Sequence, residues 1–477
     1  MLSRAPRSAA MKLSEIRATL KQIDVSPSRA LGQNFLHDQN LARWMVDQAQ
    51  INPDEYVVEI GPGLGALTRF LLEKGARVLA IEKDARLAKF LRSRFGEERL
   101  EIINLDALKF DPRVLFAHPC VKLIGNLPYN VSSPLLLKLL RDPSPISLCM
   151  FTLQKEMAMR LSASPRTHEY GALTLRVQLH RRVKYLRTLP PTVFYPRPDI
   201  DSAVVRLEPR DPIELPEHDD ELLLRLIGIG FSQRRKQLRK LLREYARRWN
   251  TLASCLNIDP NARAEELSLL DWIALSNCVA PPACREMPST PNEQFPVVDE
   301  NDEVQGYAAR AKVHGNNLRH RAVHILIFNP AGEVYLQQRS RRKDRHPLKW
   351  DSSAAGHVTA GENYDETARR ELKEELGVEV PLERIFRLTA SSRTDHEFIC
   401  GYRGTVSGNL APNKWEIERG FFVAPAVIDG WTSARPDDFA PAFLECWKAH
   451  RRKLQSEREK SIRPETFSAA SGATSTA

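Results

Sequence analysis

The segment Tyr56–Lys74 constrains the first half of the chain most. A short apolar strand, Tyr56–Ile60, runs into Gly61-Pro-Gly-Leu-Gly65 and then into a helix from about Ala66. Strands that alternate with helices pack most simply as a parallel sheet covered on both faces. The alternation continues. Arg77–Ile81 reads as the next strand and Asp84–Phe95 as a helix with Asp84 as its N-cap. Glu101–Asn104, Val121–Ile124 and Ser147–Thr152 extend the strand series. The expected fold class is α/β, a parallel, doubly wound sheet. From Glu221 to Ala274 the apolar spacing is helical throughout, which predicts a small helical subdomain.

Pro281, Pro282, Pro288, Pro291 and Pro296 then interrupt the chain with no periodic pattern, as in a linker. Beyond them, Ala322–Phe328 and Glu333–Gln338 alternate as strands do, and Asn363–Leu376 reads as one strong helix, giving a second α/β domain. The expected organisation is a flexible N-terminus (1–12), a sheet domain (13–210), a helical subdomain (211–279), a linker (280–294), a second domain (295–460) and a disordered tail (461–477). The last ten residues are only Ser, Ala, Thr and Gly. Met1–Ser14 carries Arg4, Arg7 and Lys12 and no acid, and is read as a ragged start with Met11 as a second initiator rather than as a targeting peptide.

Charge separates the two halves. Residues 1–280 hold 42 Lys/Arg against 32 Asp/Glu, and residues 281–477 hold 28 of each, so the first half carries the whole net charge of +10. A polyanion is therefore expected to meet the first half alone. No apolar run is long enough to span a bilayer; Leu135–Leu140 is far too short. The seven cysteines are scattered without a CxxC pair, which argues against a disulfide framework or cysteine zinc site and for a reducing, cytoplasmic setting.

Chemistry-bearing residues fall at strand ends. Gly61 and Gly63 let the chain turn and let a ligand approach bare backbone at a helix N-terminus. Glu82 ends the next strand, where a carboxylate accepts from ribose hydroxyls, and Asp106 follows another, placed to accept from an adenine amino group. The fourth strand ends in Asn126-Leu127-Pro128-Tyr129. An exocyclic amino nitrogen is a poor nucleophile because its lone pair is delocalised into the ring. The Asn126 side-chain oxygen and the Leu127 carbonyl can hold its two hydrogens and localise that lone pair. Pro128 withholds a backbone donor, and Tyr129 offers a face to an extruded base.

These residues closely resemble the small-subunit ribosomal RNA adenine dimethyltransferases over about Leu13–Leu275. The resemblance runs through Gly32-Gln-Asn-Phe-Leu36, Glu59-Ile-Gly-Pro-Gly63, Asn126-Leu-Pro-Tyr-Asn130, Gln154-Lys-Glu156, Tyr170-Gly171, Phe194, Asp201-Ser-Ala-Val-Val205 and Phe231-Ser-Gln-Arg-Arg-Lys236. It implies a Rossmann-like, S-adenosylmethionine-dependent methyltransferase whose donor is contacted by Asn34, Leu36, Gly61, Glu82, Asp106 and Asn126. It also implies that Phe194 stacks on the target base opposite Tyr129. The implied reaction is dimethylation of two adjacent adenosines near the 3′ end of small-subunit rRNA, in the immature small subunit. Phe231–Arg248 is read as a helix whose Arg234, Arg235, Lys236, Arg239 and Lys240 contact RNA phosphate, with Leu238, Leu241, Leu242 and Tyr245 turned inward.

A second constellation spans Gly356, Glu362 and Arg370-Glu371-Leu372-x-Glu374-Glu375-x-Gly377-Val378. Glu371, Glu374 and Glu375 share a helix face, and their repulsion is relieved by a divalent cation such as Mg²⁺. Arg370 and Glu362 are expected to pair. Residues of about Phe295–Trp447 resemble the Nudix superfamily, most closely its isopentenyl-diphosphate-isomerase-like branch, through Gln337-Gln338-Arg339, Trp350-Asp351 and Gly356-His357. The isomerases carry a catalytic cysteine where this chain has Ala355, so Mg²⁺-dependent hydrolysis of a small diphosphate is expected instead. Glu416 and Glu418 are either further metal ligands or solvated acids. Alternatives are a large-subunit rRNA methyltransferase, a Nudix domain that only docks, and an assembly factor whose main work is binding.

Overall fold

The computed structural model describes residues 12–27, 32–128, 132–140, 143–245, 248–279 and 293–462. The expected N-terminal extension apart from Lys12, most of the expected linker, Tyr129 and nearly all of the expected tail lie outside the described residues. The chain divides into two compact units, residues 1–284 and 285–477. Among the described residues no helix is long and apolar enough to cross a membrane.

The first unit holds a seven-stranded sheet of β1 (Tyr56–Ile60), β2 (Arg77–Glu82), β3 (Leu100–Asn104), β4 (Val121–Asn126), β5 (Ile146–Gln154), β6 (Arg181–Leu189) and β7 (Ser202–Pro209). The spatial order is β3-β2-β1-β4-β5-β7-β6. The first five strands are parallel, but β7 runs antiparallel between β5 and β6. The sheet is thus mixed: the five strands named from the sequence pattern pair in parallel, as expected, and the two it does not name pair antiparallel. The proline-rich connection between β6 and β7 contains only one 3₁₀ turn and a two-residue strand, whereas a parallel return needs a full crossover, usually helical.

Helices cover both faces. Met45, Val46, Phe70, Leu71 and Leu91 fill one side, and Leu135, Leu139, Phe151 and Leu161 the other. The Asp84 carboxylate caps its helix by accepting from the Arg86 amide at 2.9 Å, as the sequence predicts. Strand order reverses between β1 and β4, which opens a crevice at their carboxyl ends.

Asp220–Gly230, Leu238–Leu241, Trp249–Cys255 and Leu269–Val279 form the helical subdomain around Leu223, Leu238, Leu242 and Trp272. The expected long helix over Phe231–Arg248 does not form; among the described residues there, only Leu238–Leu241 is helical. Tertiary hydrogen bonds pull the segment out of helix. The Leu238 amide donates to the Ala262 carbonyl at 2.9 Å, and Arg234 is held by Glu265 and the His168 carbonyl. A helix would also stack like charges four residues apart, Arg235 over Arg239 and Lys236 over Lys240, and that is unfavourable.

The second unit is built on β8 (His320–Phe328), β9 (Val334–Arg339), β10 (Trp350–Asp351), β11 (Ala354–His357), β12 (Glu383–Leu388), β13 (Glu397–Thr405) and β14 (Ile417–Val423). The sheet runs β10-β9-β8-β13-β12, with β11 also on β8 and β14 on β9; only β8 and β13 pair in parallel. Helix Tyr364–Leu376 packs Ala368, Leu372 and Leu376 into the core with Val323 and Ile325. Asn363 caps it through the Asp365 and Glu366 amides, and Gly377 ends it in the left-handed conformation. A hairpin, Gln294–Val298 with Val304–Ala309, and a short helix, Arg310–Gly315, precede this sheet.

Gly230 tests the helical core. A β-carbon there would overlap the Trp272 ring, which is fully buried and cannot swing away. Gly230→Ala should destabilise the first unit by about 1–3 kcal/mol, as overpacking does, read by denaturant titration.

Candidate active sites

The loop after β1 is shaped by conformation and contact together. Gly61 and Gly63 have φ of 64° and 59°, and a β-carbon at Gly63 would sit 2.9 Å from the Phe35 ring. Glu82, 6% exposed at the end of β2, reaches across to this loop. It accepts from the Gly63 amide at 3.1 Å and the Asp84 amide at 2.9 Å. Burial pushes its carboxyl above the usual range. Asp106 accepts from the Leu108 amide at 3.0 Å and pairs with Lys83 Nζ at 2.8 Å, which holds it below the usual range.

Asn126 ends β4. Its Nδ2 donates to the Asn34 carbonyl at 2.7 Å, which fixes the amide orientation. Its Oδ1 is buried and, among the described residues, has no hydrogen-bond donor. Asn34, Leu36, Gly61, Gly63, Glu82, Asp106 and Asn126, all singled out in the sequence, line one pocket together with Pro128. Leu127 is buried beside it, and its amide donates to the Thr152 carbonyl at 3.1 Å. Phe194 is placed differently from expectation. It is 3% exposed, paired with Leu36 across a two-residue ribbon and packed in the core, so its ring is not offered to a base in this conformation.

The sequence reading assigned no role to Glu59. It lies fully buried in β1, lines the same pocket and accepts from Thr68 Oγ1 at 2.6 Å. Its signal was an acid inside the apolar run Tyr56-Val-Val-Glu-Ile60. Outside the pocket, Arg235, Lys236, Arg239 and Lys240 are exposed on the helical subdomain, and Arg234 is bound to Glu265 at 3.0 Å.

In the second unit Glu371 and Glu375 point inward, while Glu374 stays about half exposed. Glu375 accepts from Gln337 Nε2 at 3.0 Å and the Ala355 amide at 3.3 Å. The Glu371 carboxylate lies so close to Gly356 that a β-carbon there would overlap it. Burial, then repulsion from Glu375, pushes Glu371 well above the carboxylate range; burial does the same to Glu375. Arg370 binds Glu362 at 2.8 Å, as predicted, and also Glu371 at 2.8 Å and Glu374 at 3.0 Å. Glu416 pairs with the nearly buried Lys343, and Glu418 with Arg341 at 2.6 Å, so neither is a solvated acid.

A twisted α/β sheet with a glycine turn, two acids and an Asn-Leu-Pro segment at its carboxyl ends defines an S-adenosylmethionine-dependent methyltransferase of the Rossmann-like class. The chain belongs to the ribosomal RNA adenine dimethylase family, whose model matches residues 26–280. Residues 318–443 match the NUDIX domain model. A ribosomal RNA small subunit methyltransferase A from Alcanivorax borkumensis is 42% identical over 267 residues, covering 56% of this chain and 95% of that protein. The solved 23S rRNA methyltransferase ErmE is 28% identical, with a TM-score of 0.43, over 52% of this chain and 99% of that one. DR0079 from Deinococcus radiodurans is 28% identical, with a TM-score of 0.30, over 34% of this chain and 98% of that one.

Glu59 gives a pH signature. Burial pushes its carboxyl up to about 7 from 4.5. The folded state therefore binds the proton more tightly, and the stability this contributes is complete below pH 4.5 and lost as pH rises through 7. Glu59→Gln should flatten that decline, recovering up to about 3 kcal/mol at pH 8. Melting curves of both proteins between pH 5 and 8 measure it.

Proposed function

We propose that the first unit transfers methyl groups from S-adenosylmethionine to N6 of two adjacent adenosines in the hairpin near the 3′ end of small-subunit rRNA, acting on the immature subunit. The observation that carries this reading is the Asn126 side chain at the end of β4, which lines the pocket with its Nδ2 held by the Asn34 carbonyl and its buried Oδ1 without a hydrogen-bond donor among the described residues. The small-subunit assignment, against large-subunit rRNA, is supported by the name of the relative at 42% identity.

When bound, the donor supplies an electrophilic methyl carbon on a sulfonium. Glu82 sits where ribose hydroxyls would donate to it, and the Gly61–Gly63 backbone leaves room for the donor chain. Asp106 is placed to accept from the donor's adenine amino group. Asn126 Oδ1 and the Leu127 carbonyl would accept the two hydrogens of the target amino group and aim its lone pair at the methyl carbon. The target nitrogen held by these acceptors would take the donor's methyl group and release its proton to water. Tyr129 is assigned the stacking face. Phe194 joins it only if its ring turns out from the core on RNA binding. Arg235, Lys236, Arg239 and Lys240 would meet RNA phosphates, with Arg234 acting as a strut to Glu265.

Purified protein should methylate unmethylated small-subunit rRNA. Asn126→Ala should lower turnover by roughly a hundredfold or more while donor binding weakens only modestly, because the lost acceptor serves chiefly the amino group. Normal dimethylation by that variant, followed by mass spectrometry of the RNA, would refute the role.

For the second unit the reading is Mg²⁺-dependent hydrolysis of a small diphosphate. Glu371, Glu374 and Glu375 fit a hard divalent ion: the inward Glu371 and Glu375 carboxylates repel one another, and Arg370 is shared among Glu362, Glu371 and Glu374. When bound, Mg²⁺ supplies Lewis-acid polarisation of phosphate oxygens. Ala355, with no thiol, offers no acid for isomerisation. Docking without catalysis is the weaker reading, because it leaves the crowded carboxylates without a purpose. Glu374→Gln, nearly isosteric and half exposed, should cut Mg²⁺-dependent turnover on a diphosphate panel roughly a hundredfold with little loss of stability. Equal activity with and without Mg²⁺ would sink the reading.

A further inference from the structure

The glutamate helix covers one face of the strand pair β8–β11. A β-carbon at Gly356 would overlap the Glu371 carboxylate, and Ala354 packs with Ala368 and Leu372 of that helix. Side chains alternate along a strand, so Ala355 and His357 point to the opposite face. The register sets His324 against Ala355 and Ala322 against His357, and paired side chains share a face. The cleft of about 830 Å³ reaches both faces, since Glu371, Glu375, His324 and Ala355 all line it. On the far face stand His314, His320 and His357, one ring nitrogen of each within 4.8 Å of the others, with Glu397 at 3.1 Å from His357. Four residues along β8 from His320 comes His324, apart from that cluster.

His324 is only 4% exposed, yet it lines the cleft. Its ring is fixed from behind. Nδ1 lies 2.8 Å from Ser352 Oγ and 3.7 Å from Asp351 Oδ1, both buried where β10 leads into β11. Asp351 is tied in turn by the Ser352 amide at 2.8 Å and by Arg339 Nη1 at 2.9 Å. A carboxylate this close favours the proton on Nδ1, with Ser352 Oγ accepting it. Nε2 is then an acceptor, and no described residue hydrogen-bonds it.

The surroundings of the ring are small and apolar. Ala355 pairs across from His324, Ala442 packs with Ala322, and the Ala440 amide donates to the Trp350 carbonyl at 2.9 Å, one residue before Asp351. All four alanines line the cleft. Methyl groups leave space beside the imidazole and form no hydrogen bond. Of these five side chains, only His324 can bond a polar group that enters.

We propose that His324 is a specificity-determining residue of the second unit: its Nε2 accepts a hydrogen bond from a hydroxyl on the organic group of the diphosphate, which rests on the alanine floor. The inference depends on the diphosphate-hydrolase reading above. The class it selects is a polyol-like or sugar-like diphosphate over a hydrocarbon one. His324 and the glutamates stand on opposite faces of β11, so the imidazole addresses the part of the substrate remote from a glutamate-held ion. A buried acceptor is costly to leave unmet, which is how a site built to bond a hydroxyl rejects an analogue that lacks one.

The test uses the full chain with Mg²⁺ and two classes of probe. UDP-glucose and CDP-glycerol carry hydroxyls on their organic groups; isopentenyl and geranyl diphosphate carry none. The wild-type chain should turn over at least one hydroxylated probe with kcat/KM roughly a hundredfold or more above either hydrocarbon. His324→Leu, of similar size but without the acceptor, should lower kcat/KM on that probe about tenfold or more, chiefly through KM, and spare the hydrocarbons. His324→Gln, which restores a polar group, should recover part of the loss, with folding checked by circular dichroism. A wild-type chain that lacks the preference overturns the proposal whether or not the variants fold. So do equal losses by His324→Leu on both classes. If no probe is hydrolysed, the hydrolase reading fails by itself, and calorimetric binding of UDP-glucose decides the inference. Binding weakened about tenfold in His324→Leu then supports it, and unchanged or absent binding overturns it.

Discussion

Glu82 accepts from two backbone amides at once, and the first site depends on that double bond. One amide belongs to Gly63 in the loop after β1, the other to Asp84 at the start of the helix after β2. Two βα turns on adjacent strands are thereby locked to one carboxylate. A carboxylate loses its hydration when 94% of its surface is covered, and amide donors are what make that burial tolerable. The same lock holds the Gly61–Gly63 backbone open at the switch point, where β4 brings Asn126 alongside. Asn126 is fixed in turn by the Asn34 carbonyl, which holds the orientation of its side-chain amide. Preorganisation of this kind places the cost of ordering in folding rather than in catalysis.

The second unit is organised by charge that is only partly compensated. Arg370 reaches Glu362, Glu371 and Glu374, and Lys343 lies between Glu416 and the inner carboxylates. Arg370 is thus divided among three carboxylates, and Lys343 is divided between Glu416 and the inner pair. Such an arrangement is stable enough to fold yet retains a strong drive to bind a further positive charge.

Much of this could be read from the sequence because it is local. The glycine turn, the Asp84 cap, the strand-end acids and the Asn363–Gly377 helix are each set by neighbours a few residues apart, and each stands where the pattern puts it. What could not be read depends on distant partners. Nothing within Phe231–Arg248 announces that Leu238 will bond Ala262 or that Arg234 will reach Glu265, yet those contacts abolish the long helix. Phe194, which the resemblance assigns to base stacking, pairs with Leu36 and is buried in the core. The antiparallel insertion of β7 follows from a connection whose prolines were visible but whose return direction was not.

The histidine cluster shows the same limit most sharply. His314, His320, His357 and Glu397 span more than eighty residues with no spacing that marks a metal site, and each alone reads as an ordinary polar residue near a strand. Three facts of tertiary structure bring them together. β8 pairs with β11 so that Ala322 faces His357, β8 pairs with β13 so that His320 faces Glu397, and the preceding short helix lays His314 across them. The central strand β8 is therefore the common element, carrying His320 and positioning His357 and Glu397 by register. A one-residue slip of either pairing would turn those side chains to the opposite face and destroy the cluster. Register here is held by Val323 and Ile325, which are fully buried against the glutamate helix. The same packing that seats the carboxylates therefore also sets the imidazoles.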